Sequence, residues 1–468
     1  MTIDSTSELL IQLQRVGHHG TVSFPGDQSY DMGRAAWNLT ANQLPAAVAL
    51  PEDAEDVRRV VIAAVAAGLR VAPQSTGHNA TPMEPLHDAV LLKTERLRDV
   101  VIDAERRTAT VGAGVLWEDV VTAAGKEGLT ALHGSSPNVG VAGYLLGGGL
   151  SWFARAQGLA NNHIAGIDIV LADGRLVHAD AENYVEVFWA LRGGGGSFGV
   201  VTSIEIELIE VESVYAGMML WDQVHADRVL RVWRDWAATA PDSVTTSFRL
   251  MNFPPLPEFP DFLRGRRVVI LDGVAQGDET LSSELLAPLR DLQPEIDTFA
   301  ITTTDALLRL HMDPEDPIPV VSDSIVLASL GDDAASDLLA VAGPGAPPAL
   351  LIVELRQLGG ALAHPHDGGG VLNHLPGEFL LWAGAVVPTP EAAAAGREEA
   401  RAVVAAVSPH GVQPPYLNFV ENPSDVRRAF DPLTWRQVVG IKSAFDPMNV
   451  FVANHPIPTL YMDGAPTT

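Results

Sequence analysis

The stretch Pro73-Gln74-Ser75-Thr76-Gly77-His78-Asn79 places one histidine directly after a glycine, in a polar loop that follows the apolar run 69–72. Before it, the apolar run 46–50 predicts a strand, and helically spaced valines and alanines over 51–67 predict a helix that ends at Gly68. Run 69–72 is then a second strand. Open α/β sheets bind ligands beyond the carboxyl ends of their strands, so we expect this loop to belong to a ligand site.

Two glycine-rich segments lie downstream, Gly140 to Ser151 and Arg192 to Val200. Glycine has no Cβ, so its backbone N–H groups approach a phosphate or a ring edge closely. The first segment is equally compatible with a bent apolar turn, but the four consecutive glycines of the second carry an entropic cost that close passage of a ligand explains. The first segment is not a Walker A loop and does not open a standard Gly-x-Gly-x-x-Gly βαβ unit, which disfavours a nicotinamide cofactor.

Composition narrows the class of protein and of partner. The chain has 468 residues, a net charge of −28 and no cysteine. This length predicts two domains, and the strong negative charge argues against nucleic acid or an anionic membrane as partner, which leaves a small molecule. Without cysteine there is no disulfide, thiol nucleophile or thiolate ligand, and the histidine spacing predicts no catalytic metal. The first 13 residues lack a basic region before an apolar stretch, so we expect no signal peptide and a cytoplasmic protein.

The histidine loop, both glycine segments and the C-terminal stretches Tyr416-Leu417-Asn418 and Asp446-Pro447-Met448-Asn449 resemble the FAD-linked oxidases of the berberine bridge enzyme-like group, in the vanillyl-alcohol oxidase (PCMH-type) superfamily. The resemblance implies an α+β fold of two domains. Both chain ends, residues 1–210 with a core from about 42 and residues 406–468, would form the FAD domain. Residues 211–405 would form an inserted substrate domain, an antiparallel sheet covered by helices, with strand-like runs at 267–271, 324–329, 350–355 and 379–387.

The same resemblance implies that His78 carries FAD through the 8α carbon of the flavin. Many members add a cysteinyl bond from a Cys-Pro-Thr-Val-Gly segment, where this chain has Ser136-Pro137-Asn138-Val139-Gly140, so a single covalent bond is expected. The small side chain of Val139 is typical of an oxidase rather than a dehydrogenase. The other residues that the resemblance places at the cofactor are Gln74, Ser75, Thr76, Gly77, Asn79, Ser136, Pro137, Gly140, Gly143, Gly147, Gly148, Gly199, Val201, Tyr416, Asn418 and Asn449.

Two residues are candidates for catalysis. Tyr416 lies where family members have a tyrosine that deprotonates the substrate alcohol; a packed ring with a satisfied hydroxyl is the alternative. Glu354 alternates with Arg356 on one face of a predicted strand and is a candidate to polarise or hydrogen-bond the substrate. Its alternative is an ion pair with Arg356 at the sheet surface.

We therefore predict an FAD-dependent oxidase, a monomer or homodimer, that takes a hydride from an alcohol such as a carbohydrate, an aromatic alcohol or a secondary metabolite. O2 would reoxidise the covalently bound FAD and yield H2O2. The alternatives are a dehydrogenase of the same fold with another electron acceptor and a flavin-binding protein without turnover. Phe445, Thr434 and Gln437 depart from the family pattern, which leaves open any contact that the usual side chains make there.

Overall fold

A computed structural model describes residues 5–83, 85–257, 259–346 and 350–460. Within these residues the chain forms three β-sheets with helices packed against them. The first part of the chain contains the elements α1 (Ser5–Val16), β1 (Thr21–Ser23), α2 (Tyr30–Gly33), β2 (Ala47–Leu50), α3 (Ala54–Ala66), β3 (Arg70–Gln74) and β4 (Ala89–Lys93).

The first sheet has the order β1-β2-β4-β3, in which β2, β4 and β3 are parallel. Helix α3 begins where the carboxylate of Asp53 accepts a hydrogen bond from the Asp56 backbone N–H at 2.7 Å, and it ends just before Gly68, whose φ is +70°. Both are common helix boundary signals. Strand β3 therefore delivers the histidine loop, which starts at Ser75, to the carboxyl edge of the sheet.

A second sheet is antiparallel with the order β5-β6-β9-β7-β8. Asp173-Gly174 forms the turn between β7 and β8, as the sequence predicts, and Gly174 has a φ of +80°. The glycine run 193–196 covers the end of α7 and the start of the loop before β9. The elements of this part are β5 (Val100–Asp103), β6 (Thr108–Gly112), α4 (Trp117–Gly125), α5 (Val141–Leu146), α6 (Ala154–Gln157), β7 (Ile164–Val170), β8 (Leu176–Asp180), α7 (Val185–Gly194) and β9 (Val200–Glu207).

The middle of the chain forms the third and largest sheet, in which all pairs are antiparallel, with the order β13-β10-β12-β11-β16-β17-β15 and β14 beside β10. Its elements are β10 (Ser213–Asp222), α8 (Ala226–Ala237), β11 (Val244–Asn252), β12 (Arg267–Ala275), α9 (Glu279–Leu285), α10 (Ala287–Arg290), β13 (Ile296–Asp297), β14 (Ala300–Thr303), β15 (Val320–Leu327), α11 (Asp332–Ala342), β16 (Ile352–Gln357), β17 (Phe379–Val386) and α12 (Pro390–Val407).

Helices cover one face of this sheet. Trp233 of α8, Leu338 of α11 and Val403 of α12 pack with Phe248 and Leu355 of the strands in one apolar core. The other face points toward the first two sheets. Both faces of the sheet are therefore covered, one by helices and the other by the rest of the chain. The expected α+β architecture is therefore present.

One strand end and the two domain boundaries can be compared with the sequence-based expectations. The run predicted at 267–271 continues as β12 to Ala275 because Asp272, which reads as a strand breaker, is buried and ion-paired. The domain boundary expected after residue 210 falls between β9 and β10. The boundary expected after residue 405 falls inside α12, which ends at Val407.

The C-terminal segment returns to the first sheet. Helix α13 (Pro432–Phe445) is followed by an extended piece in which the Val450 carbonyl accepts a hydrogen bond from Val71 N at 2.8 Å and Val452 N donates to the Val71 carbonyl at 2.9 Å. Residues of β3 are thus bonded to both β4 and the chain end. The two ends of the chain are parts of one structural unit around the histidine loop.

Candidate active site

The histidine loop and the two glycine segments, far apart in sequence, meet in space. A Cβ at Gly140 would lie 2.5 Å from Ser75 Oγ, so only glycine allows this close approach of the two loops. Gly195 N donates a hydrogen bond to the Leu146 carbonyl at 3.0 Å, which joins the second glycine segment to the first. The three sequence features therefore form one site.

His78 is held by contacts on its face and at one nitrogen. Its ring stacks on Trp37 with 4.1 Å between ring centres and 12° between planes, and its Nδ1 lies 2.8 Å from Thr76 Oγ1. Burial lowers the pKa of His78 to about 4, so the ring is neutral at physiological pH and keeps a nitrogen lone pair. A neutral, oriented imidazole is suited to act as a nucleophile.

Several polar atoms of this loop are buried and have no hydrogen-bond partner among the described residues. They are both side-chain amide atoms of Gln74, Nε2 of His78 and Oδ1 of Asn79. Buried polar atoms are nearly always hydrogen-bonded in folded proteins. Four such atoms within six residues indicate a place for a polar ligand.

Tyr416 lies on the other side of the first glycine segment from the histidine loop, in a closely packed environment. Only 2% of the residue is exposed, and a Cβ at Gly148 would lie 3.0 Å from its ring and 3.3 Å from its hydroxyl. Asn418 Nδ2 is 3.4 Å from the Tyr416 hydroxyl and donates to the Tyr144 carbonyl at 2.9 Å. Burial raises the pKa of the Tyr416 phenol above its ordinary value, although Asn418 and the positive charge of Arg356 act in the opposite direction.

Glu354 is part of a buried ionic network, defined here as Arg249, Asp272, His311, Glu354 and Arg356. Its Oε1 lies 2.8 Å from His311 Nε2 and accepts a hydrogen bond from Arg356 Nε at 2.8 Å. Burial opposes ionisation of Glu354, but Arg356 and His311 more than offset this and hold its pKa far below the usual range. The ion pair with Arg356 does form, but the expectation that it lies at the sheet surface is wrong, because the side chain of Glu354 is 2% exposed.

Comparison with known proteins places the first part of the chain in a family. Residues 45–180 match the family model described as FAD binding domain. Residues 45–180 are an FAD-binding domain. The whole chain also shares its fold with a solved structure: it superposes on Physcomitrella patens BBE-like 1 with a TM-score of 0.84 at 20% identity, over 96% of this chain and 99% of that one.

Curated relatives match half of the chain or less. The chain is 34% identical over 203 residues to (R)-6-hydroxynicotine oxidase of Paenarthrobacter nicotinovorans, which covers 43% of this chain and 44% of that protein. It is 32% identical over 218 residues to glucooligosaccharide oxidase of Sarocladium strictum, covering 45% and 43%. The aligned part spans less than half the length of these relatives.

The buried polar groups of the FAD domain that have no partner among the described residues match the donors and acceptors of FAD. The unpartnered amide of Gln74 and the Asn79 oxygen provide both donors and acceptors, and the unpartnered Nε2 of His78 is a buried lone pair or donor. A Cβ at exposed Gly143 would meet no atom within 4 Å, so the backbone there is open to a ligand. These residues would hold FAD between the histidine loop and the glycine segments.

The remaining predicted cofactor residues of the FAD domain divide by their contacts. Ser136 Oγ donates to Asn138 Oδ1 at 2.8 Å, and the Pro137 and Val139 carbonyls accept hydrogen bonds from the first turn of α4. These contacts fix the loop that would carry the second bond in relatives. At Gly147, a Cβ would overlap Asn418 Oδ1 at 1.6 Å, so glycine is required there by the closing segment.

Three further residues contact protein rather than open space. A Cβ at Gly199 would lie 2.6 Å from Ile169 and from the Val170 carbonyl, and Val201 pairs with Ile169 in the second sheet. Packing against β7 by itself accounts for glycine at position 199. Asn449, with a φ of +52°, occupies the turn after α13, where its N–H donates to the Asp446 carbonyl at 3.1 Å.

The sequence did not single out Trp37 or His311. Trp37 lies 41 positions before His78 in a stretch without periodicity, and its N–H donates to the Thr76 carbonyl at 2.9 Å. His311 follows a short helical turn and has no neighbouring motif. Only the fold brings each of them to the site.

Residues 5–83, 85–257, 259–346 and 350–460 contain neither a membrane-spanning helix nor a cluster of metal ligands. Over these ranges no helix combines the length and apolarity that a membrane crossing needs. The same ranges contain no cluster of three or more histidine or acidic side chains with the arrangement of a metal site.

Proposed function

We propose that this protein is an FAD-dependent oxidase of alcohols, with the cofactor attached through a single bond to His78 and with O2 as the electron acceptor. The observation that carries the proposal is the His78 environment. The neutral ring stacks on Trp37, and its buried Nε2 makes no hydrogen bond of 3.5 Å or less to a described residue, although the Asn138 side chain is close enough to act on the ring. The names of the aligned relatives, an oxidase of hydroxynicotine and an oxidase of glucooligosaccharides, support the reaction class.

His78 supplies the tether in this proposal because it is the side chain of the loop with a free nucleophilic atom. Its lowered pKa keeps the ring unprotonated, which attachment requires. Ser136 has no thiol, and the chain has no cysteine, so a second thioether bond is chemically impossible. When bound, FAD accepts a hydride from the substrate and passes the electrons on to an oxidant.

Tyr416 is the group that receives the hydroxyl proton of the substrate. Asn418 Nδ2 and the backbone of Gly149 are hydrogen-bonding neighbours of its hydroxyl, and both favour the phenolate. An apolar cluster that includes Leu150, Leu358 and Leu380 surrounds the Tyr416 ring and excludes water. The strongly ionised Glu354 is a weak base, so we assign it to holding Arg356 and His311 rather than to proton transfer.

The covalent bond is tested by denaturing the purified protein and separating chain from small molecules. Yellow colour should stay with the chain, and the tryptic peptide of residues 71–93 should carry the added mass. That peptide contains both His78 and His87, so fragmentation must place the mass on His78. His78→Ala should lose the covalent flavin, whereas His87→Ala, at an exposed position, should keep it.

Each competing function gives a different result. Free FAD in the filtrate rules out the covalent bond, and a colourless protein rules out the cofactor. Substrates that bleach the flavin without oxygen rule out a protein that only binds flavin. Peroxide formed in equal amount to oxidised substrate supports the oxidase, while turnover with a quinone but not with O2 indicates the dehydrogenase.

A further inference from the structure

A cavity lies between the FAD domain and the face of the large sheet that carries no helices. Leu150 contacts both the cavity and the apolar cluster around Tyr416. The enclosed volume is about 20 Å³, room for about one water-sized group, so the cavity fits a single polar group of a ligand rather than a whole substrate. Hydroxyl groups from both sides line it together with one guanidinium, namely those of Ser135, Ser151, Thr245, Thr246, Ser247 and Arg356.

Arg356 is one of the residues that line this cavity. Its Nε donates to Glu354 at 2.8 Å, and its guanidinium carbon lies 5.1 Å from the centre of the Phe419 ring. Within the described part of the chain, neither Nη1 nor Nη2 has a hydrogen-bond partner, and 19% of the side chain is exposed. Glu354 and Phe419 thus fix the guanidinium plane and leave its outer edge open.

The ionic network around Arg356 carries one net positive charge, which the nearby carboxylate of Asp313 offsets. Both ring nitrogens of His311 face carboxylate oxygens, Nδ1 at 2.7 Å from Asp272 and Nε2 at 2.8 Å from Glu354. Ionised carboxylates only accept hydrogen bonds, so His311 is doubly protonated. Arg249, His311 and Arg356 then face two carboxylates. Asp313 also acts electrostatically on Arg356, but it makes no ion pair with it and accepts a hydrogen bond from Ser135 at 2.8 Å.

We propose that Arg356 binds a carboxylate of the substrate, so that the alcohol which this enzyme oxidises is a hydroxy acid. The free Nη1 and Nη2 edge matches the two oxygens of a carboxylate, which is the strongest pairing a guanidinium makes. Ser135, Thr246 and Ser247 already donate their hydroxyl protons to Asp313, Gln357 and Asp272. The further donors beside the guanidinium are therefore the hydroxyls of Ser151 and Thr245. This inference rests on the proposed function, because it names the substrate class of the same site.

One aromatic side chain, Phe419, contacts both Arg356 and Tyr416. The rings of Tyr416 and Phe419 stack with 5.6 Å between their centres, and Arg356 lies on Phe419. A single aromatic pair therefore connects the group that binds the acid to the group that receives the hydroxyl proton. A hydroxy acid offers a group to each of these residues, whereas its neutral ester cannot form an ion pair with Arg356.

The test compares acids with their methyl esters on the flavin-loaded full-length protein. Lactate, mandelate and glucuronate are each paired with the ester, and dissociation constants are taken from shifts in melting temperature and from anaerobic bleaching of the flavin. At least one acid should bind about 10- to 100-fold more tightly than its ester, the range for a hydrogen bond to a charged group. Arg356→Gln should abolish this preference and leave ester binding unchanged.

Arg231→Gln is the matched control, because Arg231 pairs with Asp227 and Asp332 on the outer surface of the same domain. It should keep the full acid preference. The inference is overturned if no acid binds more tightly than its ester, or if the preference survives Arg356→Gln. Equal losses for acid and ester also overturn it, because they mean that Arg356 acts only through Tyr416.

A second variant and a separate readout distinguish the remaining outcomes. If Arg356→Gln does not fold, Arg356→Lys retains the charge without the fork and should weaken acid binding about tenfold with no change for the ester; unchanged acid binding contradicts the inference. Failure of the proposed function is recognised separately. Acids that raise the melting temperature of a protein that has no flavin, or whose flavin never bleaches, support Arg356 binding while rejecting the oxidase.

Discussion

At the scale of single residues, His78 and Tyr416 are shaped by the same physical effect with opposite chemical results. Burial removes water from both side chains and disfavours their charged forms. For His78 this lowers the pKa to about 4 and frees a ring nitrogen, and for Tyr416 it raises the pKa of the phenol. The tether is therefore ready at neutral pH, whereas the proposed base is mostly protonated.

Tyr416→Phe should lower the rate of anaerobic flavin reduction by about 10²- to 10⁴-fold, the usual contribution of a general base, while the flavin stays bound. Because the pKa of the phenol lies above its ordinary value, the phenolate fraction rises with pH across the neutral and alkaline range. The wild-type rate should rise with it, and the residual rate of the variant should not. Stopped-flow absorbance between pH 6 and pH 10 measures both.

Tyr30→Phe is the matched control for that variant. Tyr30 is also buried in the FAD domain, and its hydroxyl donates to the Pro45 carbonyl at 2.6 Å. This variant should lose some stability and no activity. A Tyr416→Phe protein with the wild-type pH profile would show that the proton goes elsewhere.

At the scale of elements, the segment that carries Tyr416 is bound to the edge strand of the large sheet. Ser324 Oγ of β15 donates to the Phe419 carbonyl at 2.7 Å, and Asn422 Nδ2 donates to the Ser322 carbonyl at 2.8 Å. Between these bonds lies Glu421, whose Oε2 is buried without a partner among the described residues. Burial raises the pKa of Glu421 to about 7.

Glu421 makes the attachment of this segment dependent on pH. A carboxyl with a raised folded-state pKa is protonated in the folded chain and ionised in the unfolded chain between about pH 4.5 and 7, so its contribution to stability falls as pH rises through that window. Glu421→Gln removes this loss. The free energy of unfolding in urea should exceed that of wild type by about 1–3 kcal/mol at pH 8.5, and the gain should shrink toward pH 5.5.

An exposed carboxyl provides the comparison. Glu127→Gln, in the turn after α4, should change the free energy of unfolding little and by the same amount at both pH values. A Glu421→Gln protein that behaves like Glu127→Gln would mean that the Glu421 carboxyl is ionised in the folded chain.

The elements around the histidine loop are predictable from sequence because local signals determine them. Asp53, Gly68 and the valine spacing fix β2, α3 and β3, and the glycines identify the loops. The ionic network is not predictable in this way. Alternation on one strand places Glu354 and Arg356 on the same face, but Arg249, Asp272 and His311 reach them only through strand pairing and a distant turn, which leave no local pattern. The contact of Trp37 with His78 likewise leaves no local pattern in the sequence.

At the scale of the whole molecule, a buried ion pair joins the two chain ends. Lys442 Nζ of α13 lies 2.5 Å from Asp446 Oδ2 and donates to the Ser197 carbonyl, in the second glycine segment, at 2.8 Å. Asp446 accepts the backbone N–H groups of Val450 and Phe451. The residues that follow pair with β3. The pair therefore connects a glycine loop, the C-terminal strand and the histidine loop.

Lys442→Met should unfold the FAD domain at lower denaturant concentration, with a loss of about 3–5 kcal/mol, because it leaves Asp446 buried without its cation. The side chain of Lys442 is 1% exposed and that of Asp446 is 0% exposed, so solvent does not compensate. Urea unfolding followed by tryptophan fluorescence measures the loss, and Lys126→Met, at an exposed position, should cost little. Adding Asp446→Asn to Lys442→Met should recover part of the stability, since it removes the uncompensated charge. If Lys442→Met is as stable as Lys126→Met, other contacts hold the two chain ends together, and the return of the C-terminal segment to β3 does not depend on this pair.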